Sequence, residues 1–330
     1  MIPLTDVHAI LDSLVGRRVI VLGDLMLDHY LWGKAERISA EAPVPVVEVS
    51  REEHRLGGAA NVVHNIIALG GIPVVMGLVG ADSRADTMRK LFAARGVTEL
   101  HLVIDPDRPT TLKSRVIAHN QQVVRVDFER TTVIPAKLED ELLARLAEEI
   151  PRADAVLLED YNKGLLSQRV IRQAIALCRK HDKIVTVDPK FRNFFDYEGC
   201  TVFKPNVREL EKNLGTAVDT DEEFLAAAHE LLERIDCGHL IITRGEKGLS
   251  IFTPGQEPVN IPTFAQEVYD VSGAGDTVIG ALTLCLAAGC AIADAAIVAN
   301  HAAGSVCGKV GIHPAHPDDI LSSFRNHQAF

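Results

Sequence analysis

The sequence predicts an α/β protein built on a mostly parallel sheet, and three observations carry that prediction. Short β-branched runs end in glycine or an acid, as in Arg18-Val-Ile-Val-Leu-Gly23 and Ala155-Val-Leu-Leu-Glu159. Segments such as 137–150 and 167–181 repeat apolar residues at helical spacing. From Pro135 onward the two kinds alternate, and repeated strand–helix units bury a parallel sheet between two helical layers.

The elements follow in order. Residues 18–23 form a buried strand, with Asp24 and Asp28 at its carboxyl end, where ligands bind in open α/β sheets. Tyr30-Leu-Trp32 and 44–49 read as two short extended segments joined by a polar, proline-containing link. Residues 58–69 are helical and stop at Gly70-Gly71. A strand over 73–79 precedes a helix over 83–95, capped by Ser83 and stopped by Gly96. Residues 111–118 and 122–128 pattern as a hairpin around His119-Asn120, and with 30–33 and 44–49 they could form a small separate sheet. Beyond Pro135 come a helix (137–150), a strand (155–159), a helix (167–181) and strands at 184–187 and 201–203. Helices start at Val207 and Asp221, strands occupy 240–243, 249–252 and 259–261, and helices dominate after Gly275. No linker, internal repeat or low-complexity tract divides the 330 residues, so 1–330 are expected to form one domain.

Composition excludes several classes. A net charge of −11 and a pI of about 5.6 argue against general binding to DNA, RNA or anionic membrane. The longest apolar stretch, 278–298, is broken by Gly280, Gly289 and Asp294, so it reads as two buried helices and no membrane span. Six cysteines contain no C-x-x-C pair and lie in or near apolar runs, as reduced core residues do. No H-E-x-x-H occurs, which removes support for a zinc hydrolase. The N-terminal Met-Ile-Pro-Leu-Thr-Asp lacks a secretory pattern, and a cytoplasmic location is expected.

The chemistry concentrates in Asp270-Val-Ser-Gly-Ala-Gly-Asp276, which opens an apolar helix. Glycines admit an anion to backbone amides, and the helix N-terminus adds partial positive charge. The amides of Gly273, Ala274 and Gly275 can cradle phosphate oxygens while Asp276 takes a proton from an attacking hydroxyl. A helix N-terminus is expected to favour the ionised Asp276. The alternative is a glycine turn whose acid merely caps the helix. Gly57-Gly-Ala-Ala-Asn61 opens another helix, where Asn61 offers a donor and an acceptor to a sugar hydroxyl or faces the core. Asn206 and Glu209 share a helix face, either as a capping box or as a place where Glu209 holds Mg²⁺ through water. Thr243-Arg-Gly-Glu-Lys-Gly248 is a tight turn between strands whose Thr243 and Arg244 could reach phosphate, or an ordinary hairpin. Asp160, Lys163, Lys190, Arg192 and Asn193 follow two strands on the functional edge; the three cations could bind a second phosphate or be solvated surface charge. Neither a Walker A pattern nor a G-x-G-x-x-G after the first strand occurs, which weakens a dehydrogenase reading.

Together these segments resemble the ribokinase (PfkB) family of sugar kinases over about residues 18–315. Gly57–Asn61 resembles its G-G-x-x-N signature, Asp270–Asp276 its D-T/S-x-G-A-G-D with Val271 in place of Thr or Ser, and Asn206–Glu209 its N-x-x-E. Within the family, Gly23–Tyr30, Arg37–Val47, Asp160–Gly164, Val187–Lys190 and Ala265–Gly280 resemble kinases of D-glycero-β-D-manno-heptose 7-phosphate. Phe191-Arg-Asn193 departs from the Gly-Thr-type continuation of the bifunctional form, and the chain resembles the stand-alone form. The resemblance implies a ribokinase-like three-layer sandwich with a small β-sheet lid inserted from about 30–50 and 111–128, often a homodimer through that lid. It implies ATP with Mg²⁺, bound by Asn206, Thr243, Arg244, Gly245, Gly248 and Gly275 with Asn300 and Gly304 near adenine. The sugar is expected against Asp24, Gly57, Gly58 and Asn61, with Asp160 on a hydroxyl, Lys163, Lys190 and Arg192 on the 7-phosphate, and Asn193 beside them. Asp276 is expected to deprotonate O1, giving the 1,7-bisphosphate on the way to the ADP-heptose of lipopolysaccharide. The rival expectations are another sugar or phosphosugar kinase of the family, or a silent sugar- and nucleotide-binding regulator.

Overall fold

The computed structural model describes residues 3–119, 121–265, 269–309 and 311–328. The chain order is α1 (Leu4–Ser13), β1 (Arg18–Gly23), β2 (Leu25–Ile38), β3 (Pro45–Gly58), α2 (Ala59–Ala68), β4 (Ile72–Gly80), α3 (Ser83–Ala93) and β5 (Leu100–Asp105). There follow β6 (Leu112–Ala118), β7 (Gln121–Phe128), α4 (Ala136–Glu149), β8 (Ala155–Glu159), α5 (Gln168–Lys180), β9 (Ile184–Asp188) and β10 (Val202–Phe203). The last elements are α6 (Val207–Leu214), α7 (Asp221–Ile235), β11 (His239–Thr243), β12 (Leu249–Phe252), β13 (Val259–Ile261), α8 (Ala274–Ala287), α9 (Ile292–Cys307) and α10 (Pro317–Gln328).

Nine strands form the main sheet in the order β13-β12-β11-β10-β9-β8-β1-β4-β5. Pairing is parallel from β5 through β11, and β12 and β13 add antiparallel. Apolar side chains of α1, α2, α3, α8, α9 and α10 fill one face, among them Val62, Met88, Ile279, Ala299 and Phe324. Those of α4, α5, α6 and α7 fill the other, among them Leu142, Ile171, Leu210 and Leu231. This is the expected three-layer arrangement. The chain leaves β1 toward β4 on one side and builds β8 to β11 on the other. The crevice at the carboxyl ends of β1 and β8 is therefore the topological switch point, where such sheets bind ligands.

The small sheet has the order β3-β2-β6-β7. The two short extended segments expected near 30–33 and 44–49 are parts of a long hairpin, with Leu25 paired to Gly58 and Ile38 to Pro45. The chain does not end its strand character at Gly23 but runs on through β2 into the lid. Two elements were not anticipated. Helix α1 buries Val7, Leu11 and Leu14, and β5 is an edge strand on β4. The cap of α3 is Asp82, whose side chain accepts from the Ala85 amide, and not Ser83. A one-residue offset of this kind is ordinary where two capping residues stand side by side.

Candidate active site

Helix α8 begins at Gly273, whose φ of 81° is left-handed. A side chain there would meet Asn61 Nδ2 at 2.6 Å. The Ala274 amide donates to the Val271 carbonyl at 3.2 Å, so it is committed within the turn. The amides of Gly275 and Asp276 lie in the first helical turn, where no intrahelical acceptor exists. Gly275 faces Lys204 Nζ and Asp188 Oδ2 at ordinary contact distances of 3.8 and 3.9 Å from an ideal Cβ.

Asp276 is buried and held from two directions. Asn61 Nδ2, from α2, donates to its Oδ2 at 2.7 Å, and the Tyr161 hydroxyl donates to its Oδ1 at 2.8 Å. Burial pushes the Asp276 carboxyl above its ordinary value; the Asn61 and Tyr161 hydrogen bonds oppose, the nearby Asp188 adds to the rise, and Lys204 opposes it. Asn61 Oδ1 is buried and has no hydrogen-bond partner among the described residues, which leaves one acceptor available to a ligand.

Tyr161 owes its position to Asp24. The Asp24 carboxylate, 3 % exposed, accepts from the amides of Tyr161 and Lys163, each at 2.9 Å, and from that of Leu165 at 3.4 Å. It anchors the loop after β8. Asp160 is likewise committed, accepting from the Asn162 amide at 2.7 Å and the Tyr197 hydroxyl at 2.9 Å. Burial, and then Asp24, push the Asp160 carboxyl up to about 7.

The acid that faces the lid cleft is Asp28 on β2. Arg115 of β6 pairs with it, and an ideal Cβ on Gly57 would lie 2.3 Å from its Oδ2, so the glycine makes room for the carboxylate. Gly58, with φ 60°, likewise lets the chain pass Asp24 O, which a Cβ would meet at 2.5 Å. Arg55 and Arg115 stand over the Tyr30 ring at 5.0 and 5.3 Å. Sequence reasoning missed Asp28 as the facing acid, along with Arg55, Arg115 and Tyr161. The usable signal was the lid's period of two, which puts Asp28 opposite Arg55 and Tyr30 opposite Arg115.

The three cations expected around a second phosphate do not converge. Lys163 Nζ donates to Glu129 at 2.8 Å near the root of the lid. Arg192 reaches the Thr131 carbonyl, and Asn193 Nδ2 the Leu166 carbonyl at 2.6 Å. Lys190 turns the other way, donating to Glu209 Oε1 at 2.6 Å.

On that side lies a cavity of about 990 Å³, between the ends of β9 to β11 and the starts of α6 and α8. Asn206, Thr243, Gly245 and Gly275 line it, as do Asn300 and Gly304 of α9. Arg244 and Gly248 line it too. Arg244 stacks 4.0 Å over Phe224 and donates to Asp221 at 2.7 Å. Asn300 Nδ2 donates to the Pro262 carbonyl at 2.7 Å, and Gly304 is needed because a Cβ would come within 2.9 Å of the Ala265 amide. Asn206 and Glu209 make the complete capping box, so Glu209 Oε2 accepts from the Asn206 amide at 2.9 Å. With Lys190 on Oε1, both Glu209 oxygens are already engaged.

Asp188 and Asp276 line this cavity, and their carboxylate oxygens and those of Glu159 lie within 4.8 Å of one another. Lys204 Nζ donates to Asp188 Oδ2 at 2.9 Å, both buried. Burial works against the Lys204 charge, but Asp188, Glu209 and Glu159 outweigh it and raise its pKa. Glu159 is fully buried, with neither oxygen hydrogen-bonded among the described residues, and burial, then Asp188 and Asp276, push its carboxyl well up.

A three-layer α/β body carrying a small appended sheet, with a cavity of about 990 Å³ walled in part by one buried aspartate, has the fold of a carbohydrate kinase. The chain belongs to the pfkB family of carbohydrate kinases, whose family model matches residues 17–319. Among curated proteins it is 45% identical over 304 residues to the bifunctional protein HldE of Geobacter sulfurreducens, covering 92% of this chain and 62% of that one. It is 42% identical over 304 residues to the bifunctional protein HldE of Helicobacter pylori, covering 92% and 66%. The chain thus spans less than two thirds of the length of these relatives. Escherichia coli phosphofructokinase-2 in complex with fructose-6-phosphate superposes with a TM-score of 0.77 at 17% identity, covering 94% of this chain and 99% of that chain. Arabidopsis thaliana ribokinase complexed with ribose and ATP gives 0.73 at 17%, with the same coverage. At those identities the structural likeness speaks for the fold.

Proposed function

We propose that this chain is an ATP-dependent kinase that phosphorylates the anomeric O1 of D-glycero-β-D-manno-heptose 7-phosphate. One observation carries the reading: Asp276 is buried at the wall of the cavity, its two oxygens held by Asn61 Nδ2 and the Tyr161 hydroxyl. An attacking hydroxyl entering from the lid side meets a carboxylate that accepts its proton, while the incoming phosphoryl group meets the free amides of Gly275 and Asp276. The narrower substrate rests on the motifs at 23–30, 160–164 and 265–280 and agrees with the similarity to the bifunctional HldE proteins.

The sugar would lie against Asp28, Gly57, Gly58 and the unpaired Oδ1 of Asn61. Asp24 and Asp160 act behind it, holding the loop that carries Tyr161. For the far phosphate the candidates are Lys163, Arg192 and Asn193 of the body and Arg55 and Arg115 of the lid, while Lys190 serves the nucleotide side. ATP would fill the cavity, with Asn206, Thr243, Arg244, Gly245 and Gly248 around its phosphates and Asn300 and Gly304 near the base. The carboxylates of Asp188 and Glu159 lie within one cluster of oxygen donors that suits Mg²⁺, and the orphaned oxygens of Glu159 are the open valences in it, whereas both Glu209 oxygens are engaged by Lys190 and the Asn206 amide. Asp188 directly and Glu209 through water would hold that ion, which supplies charge neutralisation on the transferring phosphate. The proposal includes a cytoplasmic location and a homodimer through the lid. No helix among the described residues is long and apolar enough to cross a membrane.

The test is ADP release with the heptose phosphate, other sugars and other sugar phosphates. Asp276→Asn is expected to lower the rate by about 10²–10⁴. An unchanged rate removes Asp276 as the base, and preference for another sugar removes the heptose.

A further inference from the structure

The six free cysteines include two pairs of neighbours, and the pairs differ in exposure. Cys200 and Cys237 are both buried. Cys285 and Cys290 straddle the end of α8: Cys285 is fully buried, and Cys290 is half-buried at the corner before α9. The corner turns through Gly289, whose φ is 87°. The Gly289 amide donates to the Leu286 carbonyl at 2.9 Å and the Cys290 amide to the Cys285 carbonyl at 3.0 Å. This closure brings the first and last side chains of the turn together. With standard bond lengths and the fixed trigonal angle at the Cys285 carbonyl, the Cys290–Cys285 hydrogen bond of 3.0 Å holds the two Cα atoms within about 6.9 Å even when the rest of the path is straight. The real path bends, so the separation falls inside the span of about 4.4–6.8 Å that a disulfide bridges.

The environments of the two sulfurs are unequal in a useful way. The neighbouring Cys285 thiol, helped by Arg17, holds the Cys290 thiol below its ordinary value against burial and Asp294. The neighbouring Cys290, and then burial, push the Cys285 thiol well up. Cys290 also precedes the N-terminus of α9, whose cap is Ala291, and a helix N-terminus favours a thiolate. The solvent-facing sulfur is thus the better nucleophile, and the buried one is a proton-bearing partner at hand.

We propose that Cys285 and Cys290 form a peroxide-oxidised dithiol. The Cys290 thiolate attacks the O–O bond of a hydroperoxide, gains one oxygen as a sulfenic acid and releases hydroxide or alkoxide. The Cys285 thiol then attacks the Cys290 sulfur; its proton leaves with the sulfenic hydroxyl as water, and the S–S bond forms. The two electrons removed from the thiols reduce the peroxide. The product staples the corner between α8, which carries Asp276 at its far end, and α9, which carries Asn300 and Gly304.

The folded protein is treated with hydrogen peroxide in modest excess, alkylated after unfolding, digested and weighed. The expected product is a peptide containing both cysteines, lighter by two hydrogens, unalkylated at both and restored by dithiothreitol, while Cys200 and Cys237 remain alkylated. In Cys290→Ser, Cys285 stays reduced. In Cys285→Ala, Cys290 forms a dimedone-reactive sulfenic acid that no partner thiol resolves, and further peroxide carries it to sulfinic acid. Full alkylation of Cys285 and Cys290 in the treated wild type overturns the proposal, as does Cys200 or Cys237 oxidising first. Sulfinic acid at Cys290 in the wild type without any disulfide also overturns it. If Cys285→Ala does not fold, the wild-type and Cys290→Ser arms still decide.

Discussion

As the proposed base, Asp276 is expected to set the acid limb of the pH–rate profile. Its carboxyl lies above the ordinary range because burial exceeds the help of Asn61 and Tyr161. A base must be ionised to work, so kcat/KM is expected to rise with pH through that elevated value and then level. The Tyr161 hydroxyl donates to the ionised form, so removing it raises the Asp276 pKa further. In Tyr161→Phe the acid limb of the kcat/KM profile is expected to move up by about 1–2 pH units, the equivalent of one hydrogen bond to a charged group of about 1.5–3 kcal/mol. An unmoved limb with reduced plateau would make Tyr161 a substrate contact only. Asp160 bears on stability. Its folded value of about 7 exceeds the 3.8 of an ordinary aspartate, so the folded chain retains a proton that the unfolded chain has released between those values. Its contribution is therefore full below pH ~4 and lost as pH rises toward 7. Asp160→Asn is expected to flatten the fall in urea midpoint between pH 5 and 8, and an equally steep fall in the mutant would assign it to another group.

At the scale of the element, the turn into α8 shows what one methyl group does. Alanine at Gly273 must adopt φ 81°, which costs about 1–2 kcal/mol, and its Cβ meets Asn61 Nδ2 at 2.6 Å. That amide holds Asp276. Gly273→Ala is therefore expected to lower the unfolding midpoint modestly and kcat by tenfold or more, about the effect of losing one orienting hydrogen bond. Steady-state kinetics beside a thermal melt separates the two effects; loss of stability alone would leave kcat per folded molecule unchanged. The glycine turns were legible in the sequence because their requirement is local: the chain must bend there, and glycine bends so at the least cost. The parallel sheet and the helix over 137–150 were legible for the same reason of short-range period. Asp24 and Asp28 show where local reading ends. Both follow Gly23, but whether the chain stops there or continues as β2 into the lid depends on pairing with β3 and β6, residues far along the sequence. That pairing turns Asp28 to the cleft and leaves Asp24 to the loop of Tyr161. Lys190 likewise read as a partner of Lys163, until Glu209, nineteen positions on, drew it to the nucleotide side.

At the scale of the whole molecule, the lid has two unlike faces. Asp28, Tyr30, Arg55 and Arg115 occupy the one toward the cleft. On the other, cross-strand rows run Leu31–Val116–Val124 and Leu27–Leu112–Phe128, with Val126 opposite Ser114 between them. Every residue of β7 is exposed, and Val124, Val126 and Phe128 are 46%, 42% and 44% so. β7 is also an edge strand, with its outer backbone groups unpaired within its own sheet. An apolar row beside an open edge is a surface that a second copy's lid can cover, and the proposed homodimer uses it. Lysines at 124 and 126 would put like charges across such an interface while costing an exposed strand of the isolated chain about 0.5 kcal/mol or less each. The double substitution Val124→Lys with Val126→Lys is thus expected to shift the sedimentation coefficient from dimer to monomer with the thermal midpoint of the body nearly unchanged. Because Arg55, Arg115 and Asp28 hang from the same sheet, a lid released from its partner should also hold the sugar less firmly, so KM for the sugar is expected to rise while KM for ATP stays put. A wild type that sediments as a monomer would remove the lid interface, and a monomeric variant with both KM values intact would separate dimerisation from sugar binding.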